Sequence, residues 1–309
     1  MKHYPKIKRL SSLKDLDMMF INEEVEITEK IDGSNASFCL NELDHSKLDC
    51  FSRKTELSES STLNGFYNWV NTNVLAEIDK LNPEYIYFGE WLVKHKINYD
   101  KECYYKFYLF DIYDRKKDRW LDTFEKAEEF YNLKNIQDIR RIVSIVTNGE
   151  KVIEKGYQLL DEFSDYMKIN KSKEFEGIVV KIFDKLYKNE PCFFKIVNPK
   201  FEEIKMKPRV KTNNNDFDYV STICTKNRID KIILKLLDES VITNDDLYIE
   251  NMGTLMKIIT PKVLEDILEE ESDLIGKWKL EGFVTDKKIK KTVGKITPKF
   301  IVEFIEGLD

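Results

Sequence analysis

One lysine is set apart by its neighbours. In Glu29-Lys30-Ile31-Asp32-Gly33-Ser34-Asn35, Lys30 closes an alternating apolar run over residues 25–30. Gly33 offers a tight turn, and residues 36–40 read as a return strand. The expected hairpin would hold the amine still at the floor of a cleft. A free lysine amine has a pKa of about 10.4 and keeps its proton at neutral pH, so it attacks poorly. Neighbouring cations favour the neutral, nucleophilic form. K-x-D-G by itself is a weak signal in a chain this rich in Lys and Asp, and an ordinary hairpin with an exposed lysine has the same four residues. The Ser34-Asn35 that follows sharpens it.

Strands must position such a lysine. Short alternating or aromatic-rich runs read as strands at 25–30, 36–40, 85–92, 104–113, 177–182 and 192–197. Helices interrupt them, with Trp120, Phe124, Ala127 and Tyr131 at helical spacing, and Tyr67, Val70 and Val74 likewise. Lys211-Thr-Asn-Asn-Asn-Asp-Phe-Asp218 reads as a polar linker. Beyond it the period becomes helical: Ile229, Ile232, Ile233, Leu236 and Leu237 form an amphipathic stripe. Two Ile-Thr-Pro-Lys runs, at 259–262 and 296–299, read as helix starts, with Thr as cap and Pro in the first turn. The expected domains are therefore 1–208, a linker over 209–218, and an all-helical domain over 219–309.

Composition excludes other classes. The chain of 309 residues is 42% hydrophobic and 34% charged, and no apolar stretch approaches the roughly 20 residues of a bilayer span. Five scattered cysteines without a CxxC pair, three histidines and no apolar leader argue against a disulfide framework, a zinc knuckle and secretion. The expectation is a reduced, intracellular, cytoplasmic protein with no membrane contact. Net charge is −6, yet six basic residues between Lys195 and Lys211 face only Glu202 and Glu203. That local excess suits either a solvated strap or a nucleic-acid backbone.

With these segments in hand, the chain resembles the covalent nucleotidyltransferases, the polynucleotide ligases and capping enzymes that carry K-x-D-G. Lys30 falls on the lysine that forms a lysyl-nucleotide in that superfamily. Phe88-Gly89-Glu90 resembles motif III, whose glutamate binds the ribose hydroxyls. Leu109-Phe110-Asp111-Ile112 resembles motif IIIa, whose phenylalanine stacks on the purine. Glu176-Gly177-Ile178-Val179-Val180-Lys181 resembles motif IV, with an acid near the metal and a lysine near the phosphates. Lys195 stands where motif V begins.

Within the superfamily the sequence is similar to RNA ligase 2, the duplex-RNA-sealing enzyme of T-even phages. Cys50-Phe51-Ser52-Arg53 matches its arginine-bearing strand, and residues 195–201 match its motif V and continuation. Thr225-Lys-Asn-Arg228-Ile and Asp266-Ile-Leu-Glu-Glu270 resemble its helical C-terminal domain, whereas DNA ligases and capping enzymes place an OB-fold after motif V. Two positions depart: Asp32 stands where the phage enzyme has histidine, and Val197 replaces the second motif V lysine.

The resemblance implies an α+β chain: an ATP-grasp-like adenylyltransferase domain of antiparallel sheets with flanking helices, then a small all-helical domain. It implies an ATP-dependent RNA ligase, acting as a monomer, viral or phage-encoded in the phage case. AMP would be carried on Lys30 and passed to a 5′-phosphate, and a 3′-hydroxyl would then seal the strand, in particular at nicks in duplex RNA. Lys30, Lys181, Lys195 and Glu176 are the expected catalytic residues, with Glu176 holding Mg²⁺ or Mn²⁺. Glu29, Ile31, Asn35, Arg53, Glu90, Phe110, Lys181 and Lys195 are the expected nucleotide contacts. Arg228, Asp266, Glu270 and Lys200 are the expected nucleic-acid contacts. Lys200, or Lys205 with Lys207, is also the expected substitute for the cation missing at Val197. The competing readings are a DNA ligase, a GTP-using capping enzyme, or a binding relative that has lost the chemistry.

Overall fold

The computed structural model describes residues 2–10, 20, 22–142, 144–166, 176–187, 189–203 and 216–308. The chain divides into two compact units, Met1–Asn198 and Pro199–Asp309.

The first unit is built on two sheets. One has the order β1 (Lys8–Arg9), β11 (Glu190–Val197), β10 (Gly177–Tyr187), β2 (Glu24–Lys30), β9 (Ser144–Asn148), antiparallel except where β1 joins β11. The other has the order β4 (Leu48–Ser52), β3 (Ser34–Leu40), β5 (Tyr85–Trp91), β6 (Phe107–Asp114), β7 (Arg119–Trp120), with β8 (Ile139–Arg141) also on β6. The strands expected from aromatic and alternating runs are all present. Their flanking helices are α1 (Thr123–Leu133) and α2 (Gly149–Tyr166).

The expected hairpin around Gly33 does not form. β2 and β3 lie in different sheets, so Ile31–Gly33 is a corner between them. Gly33 is needed there for close approach: a Cβ would come within 2.7 Å of the Trp91 carbonyl oxygen. The expected helical stripe also divides: Trp120 is buried on β7, and the aromatic residues that α1 does carry face outward. Phe124 and Tyr131 are exposed, while Leu133 is buried in the core and Glu129 is buried with Tyr87 donating to its carboxylate.

Alternation sets the faces of the five-stranded sheet. Val25 and Ile27, Ile178 and Val180, Phe194 and Ile196 turn to one side and pack with Phe20, Val152 and Leu160. Their neighbours in each strand turn to the other side and form the site. In the second sheet Phe38, Tyr87, Trp91, Phe107 and Ile112 pack beneath the helical segment at Phe66–Trp69. Its opposite face, with Cys39, Ile86, Phe88 and Tyr113, meets Phe193 of the first sheet.

The second unit is helical throughout its described regular structure apart from short 3-10 turns. It comprises α3 (Asp216–Ile223), α4 (Lys226–Asp238), α5 (Met252–Glu270), α6 (Ser272–Leu280) and α7 (Asp286–Glu306). Thr225 caps α4 by accepting from the Arg228 amide, as its position suggests. The two Ile-Thr-Pro-Lys runs do not start helices; Pro261 and Pro298 lie inside α5 and α7. A proline there costs about 3 kcal/mol. It is tolerated because Leu255, Ile259, Val263 and Ile267 form one fully buried stripe that runs through it, as do Ile289, Val293, Thr297 and Ile301. Thr297 turns inward and donates to the Val293 carbonyl rather than capping.

The boundary between units falls earlier than the expected linker. Thr225 Oγ1 donates to the Glu203 carbonyl, and Asn227 Nδ2 to the carbonyls of Lys200 and Glu202, which ties 199–203 to the helices. Residues 209–215 of that linker lie outside the described residues, as do Lys205 and Lys207, and Asp216 already begins α3. All five cysteines are buried and free. Among the described residues no helix is long and apolar enough to cross a membrane.

Candidate active site

Register brings the motif residues together. Lys30 lies opposite Gly177, and Gly177 opposite Val197; Thr28, Val179 and Lys195 form the next row; Glu26, Lys181 and Phe193 form the third. Antiparallel partners share a face, so Lys30, Lys181, Lys195 and Glu26 project to the same side. Gly177 lets the strands close up, since a Cβ would sit 2.3 Å from the Ile196 carbonyl oxygen. Glu176, immediately before β10, is ion-paired through Oε1 with the Lys30 ammonium.

The corner after Lys30 is held rigidly. Asp32 accepts from the amides of Lys96 at 3.0 Å and Ile97 at 3.1 Å and faces His95 at 3.6 Å, while its own amide donates to the Tyr99 hydroxyl. Burial opposes the Asp32 charge, but His95, Lys30 and the Ile97 amide outweigh it and draw the carboxyl down to about 2. Asp32 thus anchors the segment after β5 to the corner through backbone amides. Gly33 N donates to Glu90 Oε1 at 3.1 Å, and Asn35 is the cross-strand neighbour of Glu90. Burial pushes the Glu90 carboxyl up to about 7, with Lys30 pulling it down and Glu176 pushing it further up.

A β-bulge aims Phe110. Phe88 pairs with Asp111 and Gly89 with Leu109, leaving Phe110 as the extra residue. Leu109 and Ile112 therefore both reach the core beneath, while Phe110 and Asp111 both turn toward the other sheet. The Phe110 ring lies 4.9 Å from Tyr4 and its carbonyl accepts from Lys126 and Lys181.

Below it sits a buried cluster of two lysines and two acids. Asp111 Oδ1 is 2.9 Å from both Lys126 and Lys181, Glu26 is 2.8 Å from Lys126, and Tyr4 donates to Asp111 Oδ2. Burial opposes the Asp111 charge, but the two lysines hold its carboxyl below the usual range. Burial draws the Lys181 ammonium down, whereas Asp111 and Glu26 keep Lys126 raised in spite of burial. Lys181 is only 1% exposed and acts here on Asp111 and the Phe110 carbonyl. Tyr4, Glu26, Lys126, His95 and Tyr99 were not read from the sequence. Asp111 falls within the Leu109–Ile112 motif, whose resemblance assigns it no role, and Lys126 projects from α1 toward Glu26 and Asp111 while the aromatic residues of that helix are exposed.

The other expected contacts are distributed around this centre. Lys195 is buried on β11, Glu29 and Ile31 are buried beside Lys30, and Arg53 follows β4, close enough for its charge to act on Tyr4. The strand does end at Val197, and Pro199–Phe201 is a 3-10 turn in the second unit, with Lys200 exposed.

In the helical unit Arg228 is fully buried. Nε donates to the Ile223 carbonyl, Nη1 and Nη2 pair with Asp266 and Glu271, and Glu203 lies 3.7 Å away. Burial opposes its charge, but Glu203, Asp266, Glu271 and Glu270 more than offset this and raise it further. Carboxylate oxygens of Glu203, Asp266 and Glu270 lie within 4.8 Å of one another, with this guanidinium among them to compensate their charge.

The RNA ligase family model matches residues 23–197, more than half of the chain and all of β2 to β11. This chain belongs to the RNA ligase family. The matched span contains Lys30, Glu90, Phe110, Glu176, Lys181 and Lys195. Among solved structures, a lysine-to-alanine mutant of Naegleria gruberi RNA ligase with ATP and Mn is 20% identical at TM-score 0.50, over 65% of this chain and 56% of that one. The same enzyme with PPi is 22% identical at TM-score 0.50, over 65% and 57%. At these identities the likeness is one of fold, and the chain spans little more than half the length of those relatives. No curated protein matches the chain.

Proposed function

We propose that this RNA ligase family chain is an ATP-dependent RNA ligase of the RNA ligase 2 type, joining 3′-hydroxyl and 5′-phosphate ends at nicks in duplex RNA. The observation that carries the reading is Lys30 paired with Glu176 on the sheet face that also bears Lys195 and Lys181. The Lys30 ammonium first gives up one proton to solvent, which reaches this part-exposed side chain. The neutral amine then attacks the α-phosphorus of ATP: a P–N bond forms, the bond to pyrophosphate breaks, and the second proton leaves Nζ to solvent. Lys195 neutralises phosphate oxygens as charge develops. Lys181 acts from behind, fixing Asp111 and the Phe110 carbonyl so that the Phe110 ring is held for stacking on adenine. Glu90 binds the ribose hydroxyls, and Arg53 offers a planar fork to phosphate.

The donor set also suits Mg²⁺ or Mn²⁺. Among the described residues no cluster of three ligands surrounds Lys30, and such ions bind through one or two carboxylates together with substrate phosphates and water. Glu176 would hold the ion, which supplies charge stabilisation at the phosphates. AMP then passes to the RNA 5′-phosphate, and the 3′-hydroxyl displaces it. The helical second unit favours this subfamily over DNA ligases and capping enzymes, which carry an OB-fold after motif V.

A panel of nicked duplexes with RNA or DNA on each strand, incubated with labelled ATP or GTP, tests the reading. Sealing from ATP with RNA at the nick is expected. Label retained from GTP but not ATP, or sealing confined to all-DNA nicks, would overturn it.

A further inference from the structure

Arg228 cannot meet a polyanion while buried under Asp266 and Glu271, so the helical unit must use other cations if it engages nucleic acid. α7 has them. Its segment 286–299 contains six lysines (Lys287, Lys288, Lys290, Lys291, Lys295 and Lys299) and one acid, Asp286, in a chain where acids outnumber bases by 56 to 50. All six lysines are exposed.

Their spacing is ordered. Lys287, Lys291, Lys295 and Lys299 recur every four residues, two positions out of step with the buried stripe Ile289, Val293, Thr297 and Ile301. At about 100° per residue, that offset puts the lysine line opposite the core. It runs about 18 Å along the helix axis at 1.5 Å per residue.

The lysines of α4 are arranged differently. Lys226 pairs with Asp230 at 2.9 Å, Lys231 with Glu203 at 2.5 Å and Lys235 with Glu239 at 3.9 Å. On α7, Lys299 faces Glu303 at 3.7 Å, but among the described residues no ion pair engages Lys287, Lys290, Lys291 or Lys295. Like charges four residues apart on a helix repel, so this face is strained by itself and relaxed by an anionic partner.

We propose that the lysine line of α7 is a docking surface for the phosphodiester backbone of the RNA duplex, a reading that rests on the ligase function above. A line of exposed lysines fits a repeating polyanion and carries no base specificity. A membrane surface fits less well, because an interfacial helix buries its apolar face in lipid and that face of α7 is already in the core.

The test uses the full chain carrying K287Q, K291Q and K295Q, with binding to a nicked RNA duplex measured by anisotropy across 50–200 mM salt. Each lost phosphate contact should flatten the slope of log K against log [salt] by about 0.7–0.9. The expected result is a slope shallower by about two, affinity at least tenfold weaker at low salt, and unchanged helical content by circular dichroism. A control carrying K226Q and K235Q on α4 should bind as wild type. Unchanged affinity and slope in the α7 variant, or equal losses in the α4 control, would overturn the proposal. So would loss of binding to phosphatidylserine vesicles with RNA affinity intact. AMP transfer to Lys30 in the same preparations is read separately: its absence in wild type, with RNA binding still dependent on α7, would remove the ligase reading and leave the surface standing.

Discussion

Lys30 in the first unit and Arg228 in the helical unit are each paired with carboxylates, yet they differ in exposure and in the number of ion pairs that hold them. Lys30 keeps 19% of its side chain accessible and pairs with Glu176. Arg228 keeps none and meets Asp266, Glu271 and Glu203, with a backbone carbonyl taking its remaining Nε proton. A fully buried cation with each of its nitrogens engaged inside the fold contributes structure. A part-exposed amine held by one ion pair has room for a substrate. The same contrast separates the paired lysines of α4 from those of α7.

The largest effect should come at Lys30. Lys30→Ala is expected to abolish AMP attachment and all sealing of 5′-phosphate ends, while nicks already adenylylated at the 5′ end are still joined in part; thermal denaturation should show a folded chain. The mirror case is Arg228→Ala. It leaves buried carboxylates without their cation, which costs about 3–5 kcal/mol, read as a lowered denaturation midpoint of the helical unit. If Arg228→Ala were fully stable but Lys30→Ala unfolded, the comparison would be reversed.

Glu90 sharpens the account of the first unit. Its carboxyl is raised from 4.5 to about 7, so the folded state holds a proton that the unfolded chain releases. Stability is therefore greatest below about pH 4.5 as far as this group is concerned, and is lost as pH rises to 7, by up to about 3 kcal/mol. Denaturation of Glu90→Gln across that window should lack this slope. Phe110→Ala should cost about 1–3 kcal/mol in ATP affinity by titration, since a stacking ring is lost. The smallest change expected is Thr225→Ala, about 0.5–2 kcal/mol of stability from the uncapped start of α4.

Much of the candidate site was legible in the sequence because the motifs that carry the family resemblance lie on or beside short, strongly patterned strands. Lys30, Glu90, Phe110, Lys181 and Lys195 fall within segments whose alternation or aromatic content marks them as strands, and Glu176 immediately precedes one, while their roles rest on the resemblance. What failed was pairing. Residues 25–30 and 36–40 look like a hairpin, but the pattern does not say that the chain changes sheets at Asp32 and Gly33. The Phe110 bulge is a register effect and leaves no local trace. Thr-Pro reads as a helix start wherever it occurs; the overriding signal was the four-residue stripe of Leu255, Ile259, Val263 and Ile267, which crosses Pro261. The acids that bury Arg228 lie 38 and 43 residues along the chain, beyond any local pattern.

The central claim, that Lys30 is the nucleophile, has a direct measurement. The full chain is incubated with ATP and Mg²⁺ or Mn²⁺, digested, and searched for the AMP adduct by tandem mass spectrometry. The account predicts one AMP per chain, on Lys30. An adduct on Lys181, Lys195 or any other residue, or no adduct with either metal, would contradict it.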